Sequence, residues 1–575
     1  MPLPFMRLRA RSVRGVLCAL WLLALCATAQ AGPGQQAVAS AHPLATAAGE
    51  AIFAAGGNAF DVAVAVTAAL GVTEPQGSGL GGGGFFLLHE AEPGRSVMLD
   101  ARETAPGAAH RDLYLDADGE VIPGLSLDGA LAAAIPGMPA ALVHLAGRYG
   151  RLTLDANLAP AIRLAEAGFP ANAGFQQMAR FRLEALRTGA DAADIFLRDG
   201  EVPEAGELIR QPDLAATLRR LAEQGIDGFY AGETAERLVA GVQAAGGIWT
   251  LEDLAGYKLV ERSPLVLEHD GARIVTAPPP SSGGIAIGQI LNILAVQDND
   301  LGDDEILRVH LLVEAMRRAY RDRALYLGDP DHVNIPVTRL LSREHAAELR
   351  QGIDLDRATP SAELSLMPES SAGKPPRVES PQTSHFSVLD AEGNRVAATI
   401  TLNYPFGSGF VPPGTGVLLN NEMDDFAARP GVPNAYGLIG FEANAIGPYR
   451  RPLSSMSPTF VETPERITVL GTPGGSRIIT TVLHGILATL EGADAEEIVR
   501  EGRFHHQYLP DHIEFESGAL DTDVLLGLAR RGHTLSPQVR PFGNMQVVLW
   551  ERRQDRVEAA SDPRGNGSAV VLPAQ

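Results

Sequence analysis

The chain has 575 residues, 45% of them hydrophobic, so it can bury a large core; length alone suggests two or more domains, although layered α/β folds of this size also form single units. Its 47 basic against 69 acidic residues leave a formal net charge of -22. Such a balance offers no basic field to hold a phosphate backbone, which excludes nucleic acid as a partner.

Arg7, Arg9, Arg11 and Arg14 precede an apolar run over 16–27, and Ala29-Gln30-Ala31 follows as a small-residue cleavage site. That pattern predicts a secretory signal peptide over residues 1–31 and a periplasmic or secreted protein with no membrane attachment once it is removed. A membrane anchor is the competing reading, but the run is shorter than the roughly 20 apolar residues that span a bilayer. A lipidated Cys26 is a further option, opposed by bulky Leu25 directly before it. Both cysteines, Cys18 and Cys26, fall inside this segment, so the processed chain would lack disulfides, thiol chemistry and zinc-thiolate sites.

Residues 43–55 read as a helix stopped by Gly56-Gly57, and Asn58 as the cap of a second helix, 59–70, apolar nearly all round and therefore buried. Gly79-Leu80-Gly81-Gly82-Gly83-Gly84 satisfies the dinucleotide fingerprint G-x-G-x-x-G. Context rejects it, because the fingerprint needs a strand before and a helix after, whereas here a helix precedes and Phe85-Phe86-Leu87-Leu88 reads as a strand. Close backbone packing beside a site explains the glycines better. Arg102, just past the strand Val97-Met98-Leu99, would suit a carboxylate bidentately if it faces a cleft; otherwise it is a surface or paired arginine.

From 128 to about 256 the pattern is amphipathic helix, with segments 140–149, 158–167, 175–188, 214–223 and 235–245 read as packing elements. Pro278-Pro279-Pro280-Ser281-Ser282-Gly283-Gly284 is a rigid turn opening a helix over 285–294. A long helix over 305–326 carries Arg317, Arg318, Arg321 and Arg323, a row expected on a solvated face.

Residues 367–382 are rich in Ser, Pro and charge, a composition that cannot order itself by burial. They feed Thr383 at the mouth of a β-hairpin, 386–389 and 396–400 around Asp390-Ala391-Glu392-Gly393-Asn394. A polar tether running into a hydroxyl residue at a core strand suggests a cut that leaves Thr383 as a new N-terminus. Residues 429–451 form a Pro-, Gly- and Asn-rich stretch too irregular for an element, as lids often are. Strand 467–470, the loop Gly471-Thr472-Pro473-Gly474-Gly475-Ser476 and helix 478–490 follow, an order that aims backbone N-H groups at negative charge. The absence of Gly-Lys-Ser/Thr rules out a Walker loop.

An N-terminal threonine is a self-contained nucleophile, since an α-amine titrating near about 7.7 to 8.0 can take the proton from its own hydroxyl. Position alone favours reading Thr383 as an ordinary β-branched residue opening a strand. The motifs Gln382-Thr383-Ser384-His385-Phe386, Thr401-Leu402-Asn403, Asn420-Asn421-Glu422-Met423-Asp424-Asp425, Arg451-Pro452-Leu453-Ser454-Ser455-Met456-Ser457-Pro458 and Pro473-Gly474-Gly475-Ser476 together resemble the γ-glutamyltranspeptidases, over nearly the whole chain after the signal.

That resemblance implies a four-layer αββα sandwich of the N-terminal nucleophile hydrolase type, made as a precursor that cuts itself between Gln382 and Thr383. Residues 32–382 would be the large subunit and 383–575 the small one, sharing one composite catalytic domain. It also implies Thr383 as nucleophile, Thr401 as its support, and the Gly474 and Gly475 amides as oxyanion hole. Arg102, with Ser454 and Ser455, would grip the substrate α-carboxylate, and Asn403, Glu422 and Asp425 would surround the α-amino and α-carboxyl groups. Tyr436 is expected to gate a lid over 430–450, and no cofactor or metal is implied. Expected substrates are glutathione and other γ-glutamyl amides, with water or amino acid and peptide amines as acceptors. Cephalosporin (glutaryl) acylases share the scaffold, but glutaryl groups lack the α-amine, so intact Arg102, Asp425 and Ser454-Ser455 favour glutamyl substrates. A non-catalytic binding protein is the third reading, opposed by the intact threonine. His385 is expected to be structural.

Overall fold

The computed structural model describes residues 32–296, 304–364 and 383–574. The expected signal peptide over 1–31 with both cysteines, and the expected tether with Gln382, lie outside the described residues.

Two large sheets are built from strands β1 (Gln35–Ser40), β2 (Gly83–Glu90), β3 (Arg95–Ala101), β4 (Val260–Arg262), β5 (Leu265–His269), β6 (Ala272–Thr276), β7 (Ser384–Leu389), β8 (Arg395–Thr401), β9 (Thr459–Glu462), β10 (Arg466–Gly471), β11 (Gln546–Glu551), β12 (Arg556–Ser561) and β13 (Ser568–Pro573). The first sheet has seven strands in the order β13-β1-β7-β8-β2-β3-β4, and the second has six in the order β12-β11-β10-β9-β6-β5. Strand alternation makes the layers. Phe86 and Leu88 of β2 join one core cluster with the outer helices, while Phe85 and Leu87 point into a second cluster with Val469, Leu470, Val547 and Leu549 of the facing sheet.

Helices α1 (Pro43–Ala54), α2 (Ala59–Thr73), α3 (Leu154–Ala167) and α4 (Pro212–Gln224) cover the first sheet, and α5 (Gly283–Leu294), α6 (Glu305–Tyr326) and α7 (Ile478–Glu491) cover the second. The molecule is a four-layer αββα sandwich. Asn58 caps α2 in a reciprocal capping box with Asp61, and almost every residue of α2 is buried, as its uniform apolarity predicts. Among the described residues no helix is long and apolar enough to cross a membrane.

Two expectations are corrected. The arginine row of α6 is not solvated: Arg317, Arg318 and Arg323 are buried, and of the four only Arg321 keeps a partly exposed side chain. Arg317 and Arg318 both pair with Glu314 inside the helix packing, and Arg318 also donates to the carbonyls of Leu349 and Gly352. The polar face of α6 therefore meets a polar interior, which periodicity cannot distinguish from water. The segment 175–188 is also broken, into Ala173–Phe181 and Leu183–Thr188, with Arg182 at the break donating to the carbonyls of Pro405 and Gly407.

The glycine run behaves as close packing requires. A Cβ on Gly81 would stand 2.0 Å from the Leu418 carbonyl oxygen, and one on Gly82 2.0 Å from that of Thr401. Only hydrogen fits where the 418–421 segment and the end of β8 press against the start of β2.

Candidate active site

β7 and β8 pair antiparallel with Ser384 opposite Ile400, so Thr383 and Thr401 lie side by side at the end of the hairpin. Thr383 Oγ1 donates to Thr401 Oγ1 at 3.1 Å, and Thr401 Oγ1 also accepts the Asn403 amide at 2.8 Å. Thr383 has φ 146°, outside the regions a β-branched residue favours.

Arg102 directly follows β3, with a side chain 1% exposed. It donates to the Pro452 carbonyl at 3.0 Å and to Asp425, and lies in ion-pair contact with Glu422 and, at 3.6 Å, Glu103. Burial opposes its charge, but Glu422, Asp425 and Glu103 outweigh that cost and leave its pKa raised. Burial also pushes the Glu103 carboxyl up to about 7 against the pull of Arg102, and raises Glu422 well above the ordinary carboxylate range. The Arg102 fork is thus engaged by carboxyl groups of its own chain.

A small cleft is lined by Thr383, Thr401, Arg102, Asn403, Glu422, Asp425, Ser454, Ser455, Tyr436 and Gly475. Gly474 does not line it but precedes Gly475 in the loop, with φ 140° and 56° respectively, before a 3-10 turn leads into α7. The loop therefore reaches the cleft at the N-terminal end of a helix, where unpaired N-H groups favour negative charge. Tyr436 crosses over it, its hydroxyl donating to the Asn403 carbonyl at 2.6 Å and its ring filling the space a Gly475 Cβ would take. A second cavity, about 160 Å³, lies on the other side of Thr383 and is lined by Glu74, Gln76, Gln177, Pro473 and Asn544. His385 is fully buried between Thr399 and Ser387, and loss of solvation pushes it down to about 3, so it stays neutral. Among the described residues no group of His, Cys, Asp or Glu could hold a metal ion.

The family model for gamma-glutamyltranspeptidase matches residues 45–572. The chain belongs to the γ-glutamyltranspeptidase family. A glutathione hydrolase proenzyme from Pseudomonas sp. (strain A14) is 42% identical over 562 residues, covering 96% of each chain. A cephalosporin acylase from Bacillus halodurans matches the structure with a TM-score of 0.81 at 28% identity, over 94% of this chain and 96% of that one. The γ-glutamyltranspeptidase of Helicobacter pylori matches with a TM-score of 0.55 at 38% identity, over 58% of this chain and 97% of that chain. The fold is that of the N-terminal nucleophile hydrolases, and as a member of this family the chain is an enzyme of the transferase and hydrolase kind.

Residues that sequence reasoning missed at this γ-glutamyltranspeptidase site are Glu103, Glu74 and the apolar lining of Leu438, Met456 and Ile478. Glu103 adjoins Arg102 in the Leu99-Asp100-Ala101-Arg102-Glu103 motif, which was signal enough to find it. Glu74 accepts from Ser384 Oγ at 2.8 Å, and loss of solvation pushes it up to about 7. Nothing local in the sequence marks that contact between residues 310 positions apart.

Proposed function

We propose that this is an exported γ-glutamyl transfer and hydrolysis enzyme acting on glutathione and other γ-glutamyl amides through an ester on Thr383. Maturation comes first. Thr383 Oγ1 attacks the Gln382 carbonyl, the Gln382–Thr383 amide breaks as an ester forms, and the nitrogen becomes the free α-amine of Thr383. Water then opens the ester, releasing the Gln382 carboxylate and separating the 32–382 and 383–575 subunits. The unfavourable φ of Thr383 supports a residue held in a strained conformation at the expected cut.

In turnover the α-amine takes the Thr383 hydroxyl proton as Oγ1 attacks the γ-carbonyl, and the same proton passes to the departing amine. Water or an acceptor amine then attacks the glutamyl ester and returns the proton to Thr383. Amides of Gly474 and Gly475 receive the oxyanion; losing one such donor typically costs about 2.7 to 4 kcal/mol of transition-state stabilisation. Thr401 fixes the nucleophile, while Arg102, Ser454 and Ser455 take the α-carboxylate and Asp425, Glu422 and Asn403 the zwitterionic head. The second cavity gives the leaving and incoming amines room beside Thr383.

The observation that carries this reading is the meeting of Thr383 with the Arg102–Asp425 pair in one small cleft. The same pair weighs against the glutaryl acylase reading that the cephalosporin acylase likeness raises. On a denaturing gel the wild type is expected to run as two chains and to release product from a γ-glutamyl anilide faster than from its glutaryl analogue, while Thr383→Ala runs as one chain without activity. Normal cleavage of Thr383→Ala would sink the mechanism, and preference for the glutaryl anilide would favour the acylase.

A further inference from the structure

Arg323, near the C-terminal end of α6, is 5% exposed, and among the described residues it forms no ion pair. Its nearest partners are hydroxyls: Nε donates to Ser282 Oγ at 3.0 Å and Nη2 to Ser455 Oγ at 3.5 Å. A buried guanidinium without a carboxylate is costly, so a positive charge held here asks for an anion nearby. Loss of solvation and the field of Arg102 push its pKa down, while Tyr320 and Asp425 oppose them.

The rigid turn at Pro278 to Gly284 explains how that charge reaches the cleft. Ser282 N and Oγ both donate to the Ser454 carbonyl at 2.7 Å, Ser454 N donates to the Pro280 carbonyl at 2.8 Å, and Ser281 Oγ donates to the Met456 carbonyl at 2.6 Å. The turn therefore clamps the peptide on both sides of Ser455. Ser282 spends its hydroxyl proton on Ser454 and can only accept from Arg323. Ser455 Oγ likewise accepts from Arg323, which turns its own proton away, and Ser455 lines the cleft.

We propose that Arg323 is a positioning residue for the substrate carboxylate: it aims the Ser455 hydroxyl into the cleft, and its uncompensated charge is completed by the anionic group bound there. This rests on the γ-glutamyl reading and names the part of the substrate that Arg323 serves.

The test measures binding of three small ligands by calorimetry to the processed protein and to Arg323→Gln, Arg323→Lys, Ser455→Ala and the Arg323→Gln/Ser455→Ala double variant. L-glutamate carries both head groups, glutarate lacks the amine and 4-aminobutanoate lacks the α-carboxylate. Arg323→Gln is expected to weaken glutamate and glutarate about tenfold or more, the scale of a charged hydrogen bond, and 4-aminobutanoate less than about twofold. In the Ser455→Ala background Arg323→Gln should cost markedly less, since both act through one hydroxyl. Arg323→Lys keeps the charge but cannot span both serines, so it should fall between wild type and Arg323→Gln, and it serves alone if Arg323→Gln does not fold. Equal losses for all three ligands, no loss, or full additivity with Ser455→Ala would overturn the proposal. Wild-type turnover of a γ-glutamyl anilide reports separately on the functional reading: an inactive wild type that still shows the carboxylate-dependent pattern would sink that reading and leave the role of Arg323 standing.

Discussion

At the scale of single residues, the oxygen of Thr401 has two partners at once. It accepts from the Thr383 hydroxyl and from the Asn403 backbone N-H, so one atom sets both the proposed nucleophile and a residue lining the cleft. Thr401→Val keeps the shape of the side chain and removes that oxygen. The Asn403 amide would then be left without its acceptor in a buried site, a cost of about 1–3 kcal/mol, and kcat on a γ-glutamyl anilide should fall on the order of 100-fold. Thr401→Ser should recover most of the activity. Steady-state kinetics on the processed variants, with melting curves alongside, check this; a Thr401→Val enzyme retaining half its kcat would show that Thr383 needs no such support.

Between residue 429 and residue 451 the chain makes no strand and only one short 3-10 helix, Glu442–Asn444, yet it is tied down. Tyr436 reaches the Asn403 carbonyl, Asp424 accepts the Ala435 amide at 3.0 Å, and Gln507 donates to the Tyr436 carbonyl at 3.0 Å. Tyr436→Phe removes only the hydroxyl. It should loosen closure by about 1 kcal/mol and so raise the share of product formed with a bulky peptide acceptor, relative to hydrolysis, about fivefold. Product analysis with and without acceptor reads this directly, and an unchanged ratio would mean the lid does not gate acceptors. How much of such an element was legible depended on what the chain itself encodes. The lid's irregularity, the Asn58 cap, the 383–403 hairpin and the glycine run were readable because local composition and turn chemistry determine them. Motif order gathered the site residues into one set. The burial of the α6 arginines was not readable, because the Leu349 and Gly352 carbonyls and the Asp511 carboxylate that satisfy them come together only in three dimensions. For the same reason Glu74 beneath Ser384, and the hydroxyls of Ser282 and Ser455 against Arg323, left no local trace.

Strands from the two expected subunits share both sheets. In the first sheet β1 sits between β13 and β7, and β8 pairs with β2, so a cut before Thr383 would leave two chains interleaved in one sheet. Neither chain closes a core alone, and the sandwich should unfold as one unit whose stability follows its buried ionisable groups. Burial holds His42, His89, His385, His484, His505, His506 and His533 down to between about 3 and about 4. Unfolded, each would titrate near 6.5, so below that pH the unfolded chain binds protons the folded one refuses, and stability falls as pH drops toward 4. Glu74 and Glu103 at about 7, Asp424 at about 6 and Glu422, raised further, act the opposite way, taking protons in the fold before the unfolded chain does. Seven histidines against four carboxyls leave about three protons in excess on the unfolded chain near pH 5, a slope of about 4 kcal/mol per pH unit. The melting temperature of the processed protein should therefore be nearly level from pH 8 to 7 and drop steeply between pH 6 and 4.5. Circular dichroism melts across that range measure it, and a melting temperature that holds or rises between pH 6 and 5 would mean that these histidines reach solvent in the fold.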